Sequence, residues 1–132
     1  MNYIADTSFI IGLFIDEPRT KTAQAIFSQL KENREKVFIP YQTIIEVIYV
    51  LEKFYHLDRV KVADYVRSVL NTFIFIVDRY EFFDRVMDAY VRFPELPLGD
   101  IIIAEEAKSK NITQVLTFDR HFEKMGLTIH GS

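Results

Sequence analysis

The 132-residue sequence contains no cysteine. That excludes disulfides and thiolate metal sites and agrees with a reducing compartment, so a cytoplasmic location is expected. No apolar stretch approaches the ~20 residues that a membrane helix needs, FIIGLFI being far too short, and no membrane partner is expected. No basic region or cleavage signal stands ahead of the first strand-like segment of the sequence, so export is not expected. An excess of positive charge is missing too, since 16 Lys and Arg against 19 Asp and Glu leave a net charge of −3. This excludes a generic basic nucleic-acid coat, which relies on Lys and Arg displacing counterions. A metal-dependent nuclease remains compatible, because its ion supplies positive charge where a phosphate docks. The glycines form no phosphate loop, His56, His121 and His130 lack metal-ligand spacing, and there is no HExxH.

What is present is a hydrophobic fraction of 49% and an aromatic fraction of 14%, enough to build a real core in one domain spanning residues 1–132. YIAD, VFIP, FIFIV, QVLTF and LTIH have the character of five short strands. Between them, helical spacing runs from Ser8 to about Phe14, Thr20 to Glu32, Tyr41 to Tyr55, Asp58 to Leu70, Arg79 to Phe93 and Asp100 to Lys110. Short all-apolar strands alternating with helices predict an α/β fold, with a parallel sheet covered on both faces. Phe73, Phe75, Phe82, Phe83 and Tyr90 are expected in the core, and Gly12 is expected to permit close helix packing.

Four acids stand in apolar settings: Asp6 in YIADTSFII, Glu46 in TIIEVIYVL, Asp100 in LPLGDIIIA and Asp119 in VLTFDRHF. None has a Lys or Arg three or four positions away; Asp78, Asp84 and Glu52 also lack one, but only Asp78 shares the apolar setting. Glu105, in contrast, has Lys108 and Glu106 has Lys110, a pairing that suggests solvent exposure for both glutamates. Asp6, Asp100 and Asp119 each have a plain alternative as helix N-caps. Glu46 does not, since it sits in mid-helix between Ile44–Ile45 and Val47–Ile48, where exposure is expected to strand apolar neighbours in water. Clustered carboxylates must protonate or share a counterion, and oxygen-only ligation points to a hard ion, Mg²⁺ or Mn²⁺.

Taken together, ADTS after the first strand, the glutamate of IIEVIYVLEK, the aspartate of LPLGDIIIAEEAKSKN and TFDRHF after the last core strand resemble the PIN-domain ribonucleases. The similarity is greatest to the VapC-type toxins of toxin–antitoxin pairs. The resemblance implies a PIN-like three-layer domain with a central parallel sheet of about five short strands, and Asp6, Glu46, Asp100 and Asp119 converging at its carboxyl edge. It makes Asp6 and Asp100 the main metal ligands, with Glu46 and Asp119 ligating directly or through water. Thr7, Ser8 and Thr117 match positions where hydroxyls support those carboxylates. It further implies metal-assisted hydrolysis of RNA, a cognate antitoxin lying near FIIGLFI and the Tyr41–Tyr55 helix, and a homodimer. An RNA-processing nuclease outside a toxin–antitoxin pair and a catalytically silent binding module are the alternatives.

Overall fold

Apolar runs of two or three residues make three parallel strands in the first eighty residues: β1 (Tyr3–Ile4), β2 (Val37–Ile39) and β3 (Phe75–Val77). They pair in the order β1-β2-β3, with Tyr3 opposite Val37 and Val37 opposite Phe75. The computed structural model describes residues 1–131; Ser132, the last residue of the expected domain, lies outside the described residues. Contacts divide the chain into Met1–Tyr80 and Glu81–Ser132.

In the first unit, α1 (Thr7–Phe14) and α2 (Thr20–Glu32) connect β1 to β2, and α3 (Tyr41–Lys53) and α4 (Arg59–Leu70) connect β2 to β3. Pro40 ends β2 and caps α3 from an extended conformation, which its fixed φ allows. Asp58 caps α4, accepting from the Lys61 N–H at 2.9 Å. The apolar positions of α3 recur at helical spacing, so Ile44, Val47, Ile48 and Leu51 are buried together. At Gly12 an added Cβ would stand 3.3 Å from the Ala23 Cβ, and the missing side chain lets α1 and α2 approach.

The second unit holds most of α5 (Tyr80–Arg92), α6 (Leu98–Ser109), β4 (Gln114–Leu116), a 3₁₀ helix (Arg120–Met125) and β5 (Thr128–His130). β4 and β5 pair in parallel, Gln114 opposite Thr128. Gly131, at φ 117°, lies where a Cβ would come within 2.7 Å of the Thr117 carbonyl oxygen, so only glycine fits there. Phe83, Val86, Met87, Tyr90, Leu96, Ile101 and Ala104 are fully buried. No helix among the described residues is long and apolar enough to cross a membrane.

The α/β class, the five strands and their parallel sense agree with the sequence. The strands fall into a three-stranded and a two-stranded ladder, where one central sheet was expected. Apolar periodicity identifies strands but carries no information on which edges exchange hydrogen bonds. For the same reason β1 was expected to be buried, yet Tyr3 and Ile4 are exposed. Phe75, Phe82, Phe83 and Tyr90 are core as expected, but Phe73 is 84% exposed, its ring lying under the Lys36 ammonium, 3.3 Å from the centroid.

Glu105 is a further correction. It is buried, with its carboxylate bonded to Lys108 at 3.3 Å and 3.9 Å from Arg85, rather than facing solvent. It shares the inner face of α6 with Ile101, Ala104 and Ala107, and both cations reach in from outside. A buried carboxylate is costly unless it is compensated, so truncating a cation harms more than removing the acid. Lys108→Ala should therefore lower unfolding free energy by about 1–3 kcal/mol, while Glu105→Met is neutral or stabilising in urea titrations.

Candidate metal-binding carboxylates

In the first unit the backbone fixes Asp6 before any side chain acts. The Ala5 N–H donates to the Phe38 carbonyl at 3.0 Å, extending the β1–β2 ladder by one bond. The Ala5 carbonyl in turn accepts from the buried Thr43 hydroxyl at 3.1 Å. Asp6 follows as the N-cap of α1, accepting from the Phe9 N–H at 3.3 Å and the Ser8 hydroxyl at 2.8 Å. Both bonds fall on Oδ1.

The Ser8 hydroxyl, the Phe9 N–H and, more weakly, the field of Arg19 hold the Asp6 carboxyl below the ordinary carboxylate range, with partial desolvation opposing them. Asp6 is thus ionised in the folded chain at pH values where an unfolded aspartate has begun to protonate. Its contribution to stability is present above the unfolded pKa and lost as pH falls through the lower folded value. Ser8→Ala should raise the midpoint of the Asp6 carboxyl resonance in an NMR titration, because the largest lowering influence is gone. An unchanged midpoint would show that Ser8 does not tune this group.

Glu46 lies on α3, where its Oε2 accepts from the Thr7 hydroxyl at 2.7 Å. It is exposed together with Gln42, Tyr49 and Lys53. The expectation that exposure would strand its apolar neighbours in water is therefore corrected. Ile44, Val47 and Ile48 adjoin Glu46 in sequence, but successive helical residues point about 100° apart, and these three lie on the buried face.

In the second unit Asp100 sits in the first turn of α6, and Pro97, not Asp100, is the cap. An N-cap role for Asp100 is thereby excluded. Asp119 does cap the 3₁₀ helix that the sequence did not reveal, its Oδ1 accepting from the His121 N–H at 2.9 Å. The Asp119 N–H donates to the Thr117 hydroxyl oxygen at 3.0 Å, so Thr117 fixes the backbone of Asp119 rather than its carboxylate. Leu116 and Phe118, the apolar neighbours that suggested burial, are 88% and 89% exposed.

The sequence also passed over His121. Its Nδ1 lies 3.1 Å from Asp100 Oδ2 and 3.1 Å from Asp119 Oδ2. Asp100, Asp119 and His121 each present one donor atom, all within 4.8 Å of one another. The signal was the Asp119-Arg120-His121 spacing. It is no standard metal motif, and only the tight 3₁₀ turn brings the ring over the carboxylate of its own cap. At 4.8 Å two carboxylate oxygens repel by roughly 3–4 kcal/mol at an effective dielectric near 20, so the pair favours a shared cation. Two carboxylate oxygens and one imidazole nitrogen are together a donor set that can hold a divalent cation.

The model of the PIN-domain family matches residues 3–127. A VapC ribonuclease of Aquifex aeolicus (strain VF5) is 29% identical over 124 residues, covering 93% of this chain and 91% of that protein. The crystal structure of Mycobacterium tuberculosis VapC20, described as a Sarcin-Ricin loop cleaving toxin, aligns over 96% of this chain and 97% of its own. That alignment has 18% identity and a TM-score of 0.43.

Proposed function

Since this chain belongs to the PIN-domain family, we propose that it is a metal-dependent endoribonuclease hydrolysing RNA phosphodiester bonds, and the toxin of a toxin–antitoxin pair. The observation that carries this is the set of oriented acids: Asp6 and Glu46 each held by a neighbouring hydroxyl, Asp100 and Asp119 sharing one imidazole. All lie within the segment that the family model matches. On this reading residues 1–132 work as one nuclease domain in the cytoplasm.

Asp6 and Asp100 are the principal ligands of Mg²⁺ or Mn²⁺, and Glu46 and Asp119 ligate directly or through water. The ion, when bound, offsets charge developing on the phosphoryl oxygens and makes water a better nucleophile. The chain's own part is orientation and proton handling. Thr7 donates to Oε2 of Glu46 and so orients this carboxylate, which would take up the proton of the attacking water. Ser8 donates to Oδ1 of Asp6 and so orients that carboxylate toward the cation. Thr117 sets the Asp119 backbone at the start of its turn.

The proposed partners are the RNA substrate, a cognate antitoxin and a second copy of the chain. Support for a protein-covered face comes from α3 and its C-cap, where Tyr41, Tyr49 and Phe54 are exposed, aromatic residues being enriched at protein interfaces. Purified protein should cut RNA in Mn²⁺ or Mg²⁺, stop in excess EDTA and resume when the ion is restored. RNA cut equally well in EDTA would overturn the proposal. Light scattering at micromolar concentration tests the dimer, and a monomer there would remove it.

A further inference from the structure

The geometry points to His121 as a direct nitrogen ligand of the divalent ion, making this a mixed imidazole–carboxylate centre that favours Mn²⁺ over Mg²⁺. The inference rests on the nuclease reading for the presence of the ion and goes beyond it in the donor set and the metal preference. Its ground is a coincidence of atoms. The oxygens nearest the ring are Oδ2 of Asp100 and Oδ2 of Asp119, and a single ring nitrogen, Nδ1, stands 3.1 Å from each.

Donors at about 2.1 Å from an ion, in adjacent octahedral positions, stand about 3.0 Å apart. Both nitrogen–oxygen separations therefore match the edges of a coordination octahedron, and the third, oxygen–oxygen separation stays within 4.8 Å. The same nitrogen faces both Oδ2 atoms, so an ion gathered between them meets Nδ1 directly. An N–H pointing at that cation would be repelled, whereas the lone pair of the other tautomer is attracted to it.

The position of the ring is built in. The His121 backbone N–H donates to Oδ1 of Asp119, tying the histidine to the carboxylate whose other oxygen it faces. Asp119 is tied by its own N–H to Thr117. The ring side chain is 43% exposed and the Asp100 side chain 21%, which leaves the cluster open to a hydrated ion. Mg²⁺ prefers oxygen donors and gains little from imidazole, while Mn²⁺ accepts nitrogen readily.

The test uses the full chain, with no affinity tag and in a buffer without nitrogen donors, and Mn²⁺ alone as the probe. Pulsed electron paramagnetic resonance of the Mn²⁺-loaded protein should show modulation from a directly bonded ¹⁴N, absent in His121→Asn. Calorimetry should show Mn²⁺ affinity about tenfold lower in His121→Asn and Mg²⁺ affinity changed less than twofold. Circular dichroism of the variant confirms folding, and His121→Gln serves as a second variant. Saturable Mn²⁺ binding and RNA cleavage without nitrogen modulation, or modulation that persists in both variants, would overturn the ligand role and leave the nuclease standing. No Mn²⁺ uptake at all would overturn both.

Discussion

Asp100→Asn should reduce RNA cleavage by more than about 100-fold, and Asp6→Asn should do the same, with both variants folded. The estimate follows from charge. An amide keeps the size and polarity of the carboxylate but offers a divalent ion a neutral oxygen, and even disturbing the partners of a metal ligand costs 10–100-fold. Supporting groups have a smaller effect. Ser8→Ala and Thr7→Val should each cost about tenfold, because each removes one bond that orients Asp6 or Glu46 and leaves the carboxylate itself. Single-turnover cleavage of a fluorescent RNA at saturating Mn²⁺ reads all four variants. Activity within threefold of the parent in Asp100→Asn would remove Asp100 from the ligand set.

Ile48→Ala lowers unfolding free energy by about 2–5 kcal/mol, whereas Glu46→Gln changes it by less than about 0.5 kcal/mol. The two residues are two positions apart on α3 and lie on opposite sides of it. Ile48 is fully buried beside Ile44 and Leu51, so truncation removes apolar contact and leaves a cavity that its neighbours fill only in part. Glu46 is exposed, and its Thr7 bond survives the change to Gln, whose carbonyl oxygen still accepts. Glu46→Gln should nevertheless lose cleavage, since an amide oxygen cannot take up the proton of water. Urea titration and cleavage assays on the same preparations separate the effects. A Glu46→Gln variant as unstable as Ile48→Ala would make Glu46 a structural residue.

The placement of the candidate acids was partly legible in the sequence, because two of them follow element boundaries that local chemistry marks. Asp6 after YIA and Asp119 after VLTF fall where an apolar run stops, and an aspartate there can cap the turn that follows. Glu46 was singled out by its apolar neighbours, but the argument attached to it was wrong. Neighbours in sequence were taken as neighbours in space, and the helix turns them away. His121 was missed for the converse reason. Two residues of separation along the chain mean little until a 3₁₀ turn folds the ring back over Asp119, and the Asp100 contact joins positions 21 apart in sequence.

The sequence by itself determined the α/β class, the number and parallel sense of the strands, the α-helices and four of the five aromatics expected in the core. Those follow from periodicity, propensity and caps, which act over one or two turns. Tertiary structure alone decided how the strands share ladders, that Phe73 lies outside while Glu105 lies inside, and that an imidazole faces two carboxylates at once. These depend on which surfaces meet, and meeting is a property of the folded chain. An isolated run of letters fixes what a segment can bury or bond, and packing selects which of those capacities is used.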